Sequence, residues 1–236
     1  MSDRCYANFL GNCKGAISRE HYISCSLLKL VPGDSVTIRG VPWLGKGESR
    51  VIDKYAFCAK VLCEHHNHEL SVLDEEIGRL FHVLFDVFRK DYMPAQVALT
   101  DNDVSVRFNG RIVERWLLKM LCGAIAAGNW QGAHREPDAD LVKTLFNQRE
   151  WPKQFKLYSS EFTDYTVPEN PGIDFQVNVS LDGNILQGIK VRILCYDFIL
   201  ALGSFQGIPG LERPSDIHIC KDGGRPLNIK FYWLET

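Results

Sequence analysis

Cys63-Glu64-His65-His66-Asn67-His68 places a thiol, three imidazoles and an amide within six residues. Two residues separate Cys63 from His66, a spacing that lets a tight turn direct both side chains at one metal ion. Cys5 and Cys13 precede this stretch and supply two more soft ligands, with a wider gap between them than a usual zinc pair has. These four residues predict a closed, tetrahedral, structural zinc site.

Other assignments of the ligands stay open at this point. Cys58 and His65 are near enough in sequence to compete for a ligand position. Alternatively, Cys5 and Cys13 are surface thiols and His66 is an ordinary polar side chain. A bound zinc ion would stabilise a loop-rich segment that has little core of its own, because metal binding and folding are then coupled.

The composition of the chain is that of an ordinary globular protein. With 236 residues, of which 45% are hydrophobic and 24% charged, it can form one large domain or two small ones. The net charge of −2 gives no overall sign of nucleic-acid binding. Residues 1–60, however, carry nine Lys and Arg against five Asp and Glu, which is compatible with phosphate contacts.

The chain shows no targeting or membrane signal. Residues 1–4 lead into polar sequence, and the most apolar run, residues 193–205, contains Asp197 and is too short to cross a bilayer. We therefore expect a cytoplasmic protein that does not bind membranes. In a reducing compartment, eight cysteines favour buried, free or metal-bound thiols over disulfides. Cys122 and Cys195 lie in apolar runs and are expected in the core.

Hydrophobic spacing predicts the elements of the first half of the chain. Residues 1–68 are rich in Gly and Pro turns around a short strand at 35–38. Apolar residues at helical spacing predict a helix from about residue 71 to 90. Alternating apolar residues at 104–108 predict a strand that ends at the tight-turn pair Asn109-Gly110, before a second helix over 112–125.

Beyond Trp151 the apolar pattern changes to period two. It predicts a hairpin of strands 175–179 and 189–193, and two further strands at 217–219 and 229–233. The expected fold class is α+β, with a zinc-bound N-terminal module at residues 1–92 and an α+β region with antiparallel sheet at residues 93–236.

Between Cys13 and Cys63 lies an acid–histidine pair in Ser18-Arg19-Glu20-His21. By itself such a pair is uninformative, and a solvated histidine is the simpler interpretation. Its position, however, is where a strand emerging from the first cysteine pair would continue, which makes a functional role for His21 more attractive.

Residues 5–76 resemble the HNH endonuclease superfamily. The subgroup pattern is Cys…Cys…Thr/Ser-x-Glu-His-hydrophobic-Ile-Pro/Ser, then Cys-x2-Cys-Asn, then Leu-x-x-hydrophobic-Asp. The matching pieces of this chain are Cys5 and Cys13, then Ser18-Arg19-Glu20-His21-Tyr22-Ile23-Ser24, then Cys63-Glu64-His65-His66-Asn67, then Leu70-Ser71-Val72-Leu73-Asp74. The resemblance covers about a third of the chain, and residues 95–236 resemble no family.

The resemblance implies a zinc-stapled ββα-metal fold and a catalytic role for His21. This residue would be the general base that deprotonates water for attack on a phosphodiester. Glu20 and Asn67 would flank a divalent cation, Mg²⁺ or Mn²⁺, that stabilises charge on the phosphate. His68 and Asp74 are secondary candidates near this cation, and Asp74 is alternatively a partner of a helix dipole.

The chain departs from the superfamily pattern at two positions. His66 replaces the usual fourth cysteine, which zinc tolerates. Cys58 stands where the superfamily has an asparagine that orients the general base. The segment between Tyr22 and Cys63 is also long, and we expect its Gly- and Pro-rich loop either to shape substrate choice or to fill the cleft.

No second active-site motif appears in the sequence. A Gly-rich phosphate loop and a Gly-x-Ser-x-Gly elbow are both missing. Trp116, Trp130 and Trp151 are expected in the core, with a base-stacking platform as the alternative. Arg111, Arg115 and Lys119 share one helix face, for which we expect solvent exposure, with a phosphate-binding strip as the alternative.

The resemblance therefore implies a metal-dependent endonuclease acting on DNA, with RNA as the alternative substrate. Residues 93–236 would select the target or a protein partner. The competing hypothesis is a degenerate module that keeps zinc, has lost cleavage and binds nucleic acid or protein. A third hypothesis is a thiol redox switch at Cys58 and Cys63. The sequence does not indicate the oligomeric state.

Overall fold

A computed structural model describes twelve segments of the chain, and every structural statement below concerns these residues. The described segments are 4–21, 23–30, 33–39, 44, 48–88, 104–128, 136–161, 176–182, 185–193, 196–203, 207–219 and 227–234.

The N-terminal part contains two antiparallel strand pairs and two helices. Its elements in chain order are β1 (Ile17–His21), α1 (Cys25–Leu30), β2 (Ser35–Arg39), β3 (Ser49–Asp53), β4 (Cys58–Cys63) and α2 (Glu64–Phe88). Strand β1 pairs with β4, and β2 pairs with β3 in the segment inserted between them, which confirms the predicted strand at 35–38. Helix α2 follows β4 without a loop.

The remainder contains two helices and eight strands. These elements are β5 (Val104–Asn109), α3 (Gly110–Ala126), α4 (Ala139–Leu145), β6 (Lys156–Glu161), β7 (Gln176–Asp182), β8 (Ile185–Ile193), β9 (Tyr196–Ala201), β10 (Leu211–Glu212), β11 (Asp216–Ile219) and β12 (Leu227–Tyr232). The five-stranded sheet β10-β6-β9-β8-β7 is antiparallel throughout, and it includes the predicted β7–β8 hairpin.

One strand pair runs parallel. In the three-stranded sheet β11-β12-β5, strand β12 pairs antiparallel with β11 but parallel with β5. The two parallel partners come from distant parts of the chain, as a parallel pair requires, because its connection must cross from one end of the sheet to the other.

Asn109-Gly110 begins a helix and does not form the predicted hairpin-type turn. The Asn109 Oδ1 accepts a hydrogen bond from the amide of Arg111, which satisfies one of the free N–H groups at the start of α3. Gly110 also has no room for a side chain, because a Cβ there would lie 2.4 Å from the indole of Trp233. The strand therefore passes directly into the helix.

The buried apolar side chains form one cluster that extends from Cys5 to Phe231. Helices α2 and α3 meet within it, where the rings of Phe81 and Trp116 pack edge to face with centroids 5.3 Å apart. Cys122 is fully buried, as predicted, whereas Cys195 lies outside the described residues. The fold is thus mixed α+β with antiparallel sheets, and the division at residues 92 and 93 stays a prediction.

No helix among the described residues is both long enough and apolar enough to cross a bilayer.

Candidate metal centre and the region around His21

Three segments bring four potential metal ligands together near the N-terminus. Cys63 is the last residue of β4, and His66 lies in the first turn of α2. The segment that carries Cys5 is held beside β4 by a hydrogen bond of 2.9 Å from the amide of Tyr6 to the carbonyl of Val61. Cys13 lies on the same side, and the ligand atoms of all four residues are within 4.8 Å of one another.

The spacing inside this cluster suits a tetrahedral ion. The Nδ1 of His66 lies 3.3 Å from the Sγ of Cys5, 3.6 Å from that of Cys13 and 3.2 Å from that of Cys63. Ligand atoms bound to one tetrahedral zinc are about 3.6 Å apart, given zinc–nitrogen and zinc–sulfur bonds of about 2.1 and 2.3 Å. The Cys5, Cys13, Cys63 and His66 cluster could therefore bind a metal ion such as zinc.

Asn12 orients the histidine of the cluster. Its Oδ1 accepts a hydrogen bond of 2.5 Å from the Nε2 of His66, which places the proton on Nε2 and leaves the Nδ1 lone pair directed at the thiols. No sequence motif singles out Asn12, beyond its position next to Cys13.

Neither competing ligand is a member of the cluster. The Nε2 of His65 lies 3.2 Å from the Nδ2 of Asn12 and 3.7 Å from a carboxylate oxygen of Glu69. The Sγ of Cys58 donates a hydrogen bond of 2.9 Å to the carbonyl of Tyr55. Within the described part of the chain, the four predicted ligands form the set.

The surroundings favour the neutral forms of Cys5, Cys13 and His66. Burial raises the pKa of Cys5, and burial with the neighbouring thiols raises the pKa of Cys13 to about 12. Burial also acts to raise the pKa of Cys63, but hydrogen bonds from the His66 and Lys14 amides lower it overall. Burial lowers the pKa of His66 and favours the neutral ring. A cation is what would hold all three thiols ionised.

His21 ends β1 and lies directly opposite Cys58 in β4. Its Nε2 is buried without a hydrogen-bond partner among the described residues, and its ring packs edge to face on Tyr55 at 6.4 Å. Burial is the largest influence on the pKa of His21 and lowers it, although Asp74 acts in the opposite direction. The ring is therefore neutral near pH 7, the form in which an imidazole can accept a proton.

Asn67 and His68 lie on different sides of α2. The Nδ2 of Asn67 donates a hydrogen bond of 3.0 Å to the Oγ of Ser18, which in turn donates to the carbonyl of Leu62. Asn67 thus contacts β1 three residues before His21. His68 is exposed to solvent.

Lys119 of α3 occupies the space between the two predicted acidic ligands. Its Nζ lies 2.7 Å from the Oε1 of Glu20 and 2.5 Å from the Oδ2 of Asp74, and its side chain is 2% exposed. Asp74 also accepts a hydrogen bond from Ser24, whose Oγ accepts one of 2.6 Å from the indole of Trp116. Burial raises the pKa of Glu20 to about 7, in spite of the opposing effect of Lys119.

This arrangement changes two expectations. The shared face of α3 is not a solvated one, because Lys119 and Arg111 are both buried. The carboxylates of Glu20 and Asp74 are already balanced by an ammonium group, so they are not free ligands, and a divalent cation between them would have to displace Lys119. The sequence could not indicate Lys119, because only the tertiary fold brings it to Glu20.

A scan of protein-family models, a search of curated proteins and a search of solved structures each returned no match to this chain.

Proposed function

We propose that this protein is a zinc-stapled, HNH-like endonuclease that hydrolyses phosphodiester bonds in DNA, with RNA as the alternative substrate. One observation carries the proposal. Strand β1 pairs with β4, and β4 leads directly into α2. The four-ligand cluster lies at the start of this helix, and His21 is at the end of β1. This order of elements and side chains supports the resemblance of residues 5–76 to that superfamily.

In this proposal the metal of the cluster is zinc with a structural role. Three thiolates and one imidazole saturate a tetrahedral ion and leave no open position for substrate. The ion would hold the N-terminal segment, the end of β4 and the first turn of α2 together, and so fix the strand that ends at His21.

His21 would act as the general base. Its lowered pKa keeps the ring neutral, so the ring can take a proton from water at the phosphate. Mg²⁺ or Mn²⁺, when bound, would stabilise the charge that develops on the phosphate oxygens. Glu20, Asn67 and Asp74 are the candidate ligands of that cation, which would have to displace Lys119 from the two carboxylates, and His68 is a more distant candidate.

The second candidate function is a binding module that keeps zinc and does not cleave. Two observations favour it. Lys119 provides the positive charge between Glu20 and Asp74 that a divalent cation would otherwise bring. Cys58 lies opposite His21, where the resemblance implies an asparagine that orients the base.

Incubation with supercoiled plasmid, with and without Mg²⁺ or Mn²⁺, tests the proposal. A nuclease produces nicked or linear DNA only in the presence of the cation. A preparation with full zinc content that retards DNA in a gel but leaves it supercoiled would support the binding module instead.

A further inference from the structure

Helix α3, the end of α4 and the loop after α4 line a half-open cavity of about 410 Å³. Most of its described lining residues are polar, and they include three arginines, at positions 111, 115 and 149, together with Thr144, Gln148 and Trp151. This volume lies within the range of small-molecule sites in proteins. Phe146, which precedes the lining residue Asn147, packs its ring on that of His66 with centroids 5.0 Å apart.

Arg111 is fixed in the wall of the cavity from two sides. Its guanidinium pairs with the buried carboxylate of Glu114 and lies over the ring of Trp151, 4.6 Å from its centroid. Glu114 is shared, because Arg213 also lies 3.1 Å from it. One carboxylate therefore faces two guanidinium groups.

Arg115 has no carboxylate partner among the described residues. One of its terminal nitrogens donates a hydrogen bond of 2.7 Å to the carbonyl of Leu145, and its Nε is buried without a hydrogen-bond partner there. Burial, and secondarily the nearby charge of Arg111, lowers the pKa of Arg115, as expected for a cation that lacks a counter-charge.

The rim of the cavity is more solvated. Arg149, with 47% of its side chain exposed, pairs with Asp140. Among the described lining residues, Glu150 is the one with a carboxylate, and it is exposed to solvent. Its charge is therefore screened by water.

We propose that this cavity binds a phosphate group carried by a nucleotide, with Arg115 as its principal contact and Arg111 and Arg149 beside it. The planar fork of a guanidinium matches two phosphate oxygens, and a phosphate would supply the counter-charge that Arg115 lacks. The proposal rests on the proposed function only for the source of the phosphate. That source is the end of a nucleic-acid strand, its backbone or a free nucleotide.

Fluorescence anisotropy of the full-length, zinc-loaded protein without Mg²⁺ or Mn²⁺ tests this proposal, because no cleavage interferes. The probes are one labelled single-stranded DNA with either a 5′-phosphate or a 5′-hydroxyl, and adenosine monophosphate as a competitor. Arg115→Gln should weaken binding of the phosphorylated strand about tenfold or more, because a charge-assisted contact is lost. Arg149→Gln, on the solvated rim, should weaken it several-fold with no effect on folding.

Lys153→Gln is the matched control, because Lys153 is exposed and close in sequence to Trp151 but does not line the cavity. It should change affinity less than twofold. If the arginine variants lose affinity only for the phosphorylated strand and the competitor, the cavity binds a terminal or free phosphate. If they lose affinity equally for the 5′-hydroxyl strand, the cavity binds the backbone. Unchanged binding of every probe by both arginine variants, or equal losses in all three variants, would overturn the proposal. That result would not bear on whether the protein cleaves DNA.

Discussion

At the scale of single residues, the arrangement around His66 is the most specific feature of the molecule. One ring nitrogen faces three cysteine sulfurs, and the other is held by Asn12. Three protonated thiols would gain little stability from this arrangement. A bound cation, in contrast, would be coordinated by a lone pair from each of the four side chains. The first prediction concerns this ion.

Elemental analysis of protein purified without added metal should find about one zinc per chain. Cys63→Ser should reduce that content to near zero and destabilise the N-terminal module, because metal binding contributes directly to its folding. Cys13→Ser should behave in the same way. Cys122→Ser is the matched control: this thiol is also fully buried, but it belongs to α3 and should leave the zinc content unchanged. A fully folded, metal-free preparation would rule out the assignment.

Glu20 gives a second prediction at this scale. The pKa of Glu20 is about 7 in the folded protein and about 4.5 in the unfolded chain. Between these values the folded state binds a proton that the unfolded state has released, so this contribution to stability is complete below about pH 4.5 and is lost as the pH rises through about 7.

Glu20→Gln should remove this dependence, which amounts to at most about 3 kcal/mol in the free energy of unfolding. Urea unfolding of zinc-loaded protein at several pH values between 5 and 7.5 measures it. The variant should show the smaller decrease of stability with pH. Parallel pH profiles for the two proteins would show that Glu20 does not titrate in this range.

At the scale of elements, the β1–β4 pair and α2 determine what lies near His21. A register irregularity between Ser18 and Glu20 shifts the end of β1 relative to β4. Glu20 is consequently buried beside Lys119, while His21 faces Cys58. Side chains directly opposite in an antiparallel pair have Cβ atoms about 5 Å apart, so position 58 can influence the imidazole.

Cys58→Asn tests that influence. If the protein is a nuclease, an amide oxygen at this position can accept a hydrogen bond from His21 and hold the productive tautomer, so the cleavage rate should rise while the zinc content stays constant. The readout is plasmid nicking together with elemental analysis. A loss of zinc would contradict the ligand set described here, and an unchanged rate would show that position 58 does not orient the base.

The elements that the sequence predicts have a local pattern of apolar residues, and the element boundaries that it misses do not. The β7–β8 hairpin and α3 follow from local apolar periodicity. The start of α2 does not: it begins at Glu64, about seven residues before the predicted start, because its first turn carries polar residues, among them the potential ligand His66, where the helical pattern would have apolar ones. The prediction of a tight turn at Asn109-Gly110 was wrong, because an asparagine at this position serves equally well as a helix cap.

At the scale of the whole molecule, α3 connects the N-terminal module to the rest. Its Trp116 packs on Phe81 of α2 and donates a hydrogen bond to Ser24, while its Lys119 reaches Glu20. These contacts join residues far apart in sequence, and neither hydrophobic periodicity nor motif spacing predicts them. The four potential zinc ligands could be predicted from the sequence, whereas the role of Lys119 and the arginine-lined cavity could be recognised only in the tertiary structure.

Trp116→Ala should destabilise the protein by about 3–5 kcal/mol, because it leaves a large cavity at the α2–α3 contact. Val72→Ala, at a side chain 53% exposed on α2, should change stability by no more than about 0.5 kcal/mol. Urea unfolding followed by circular dichroism and by zinc release should give coincident midpoints, because one core contains both regions. Separate midpoints would instead support independent domains at residues 1–92 and 93–236.

Plasmid cleavage by the wild-type protein and by His21→Ala, at equal zinc content and in Mg²⁺ or Mn²⁺, is the most direct test of the central claim. We expect the wild-type protein to nick or linearise DNA and His21→Ala to be slower by on the order of 10²–10⁴-fold, as for loss of a general base. Equal cleavage by the two proteins, or no cleavage by the wild type at full zinc content, would contradict it.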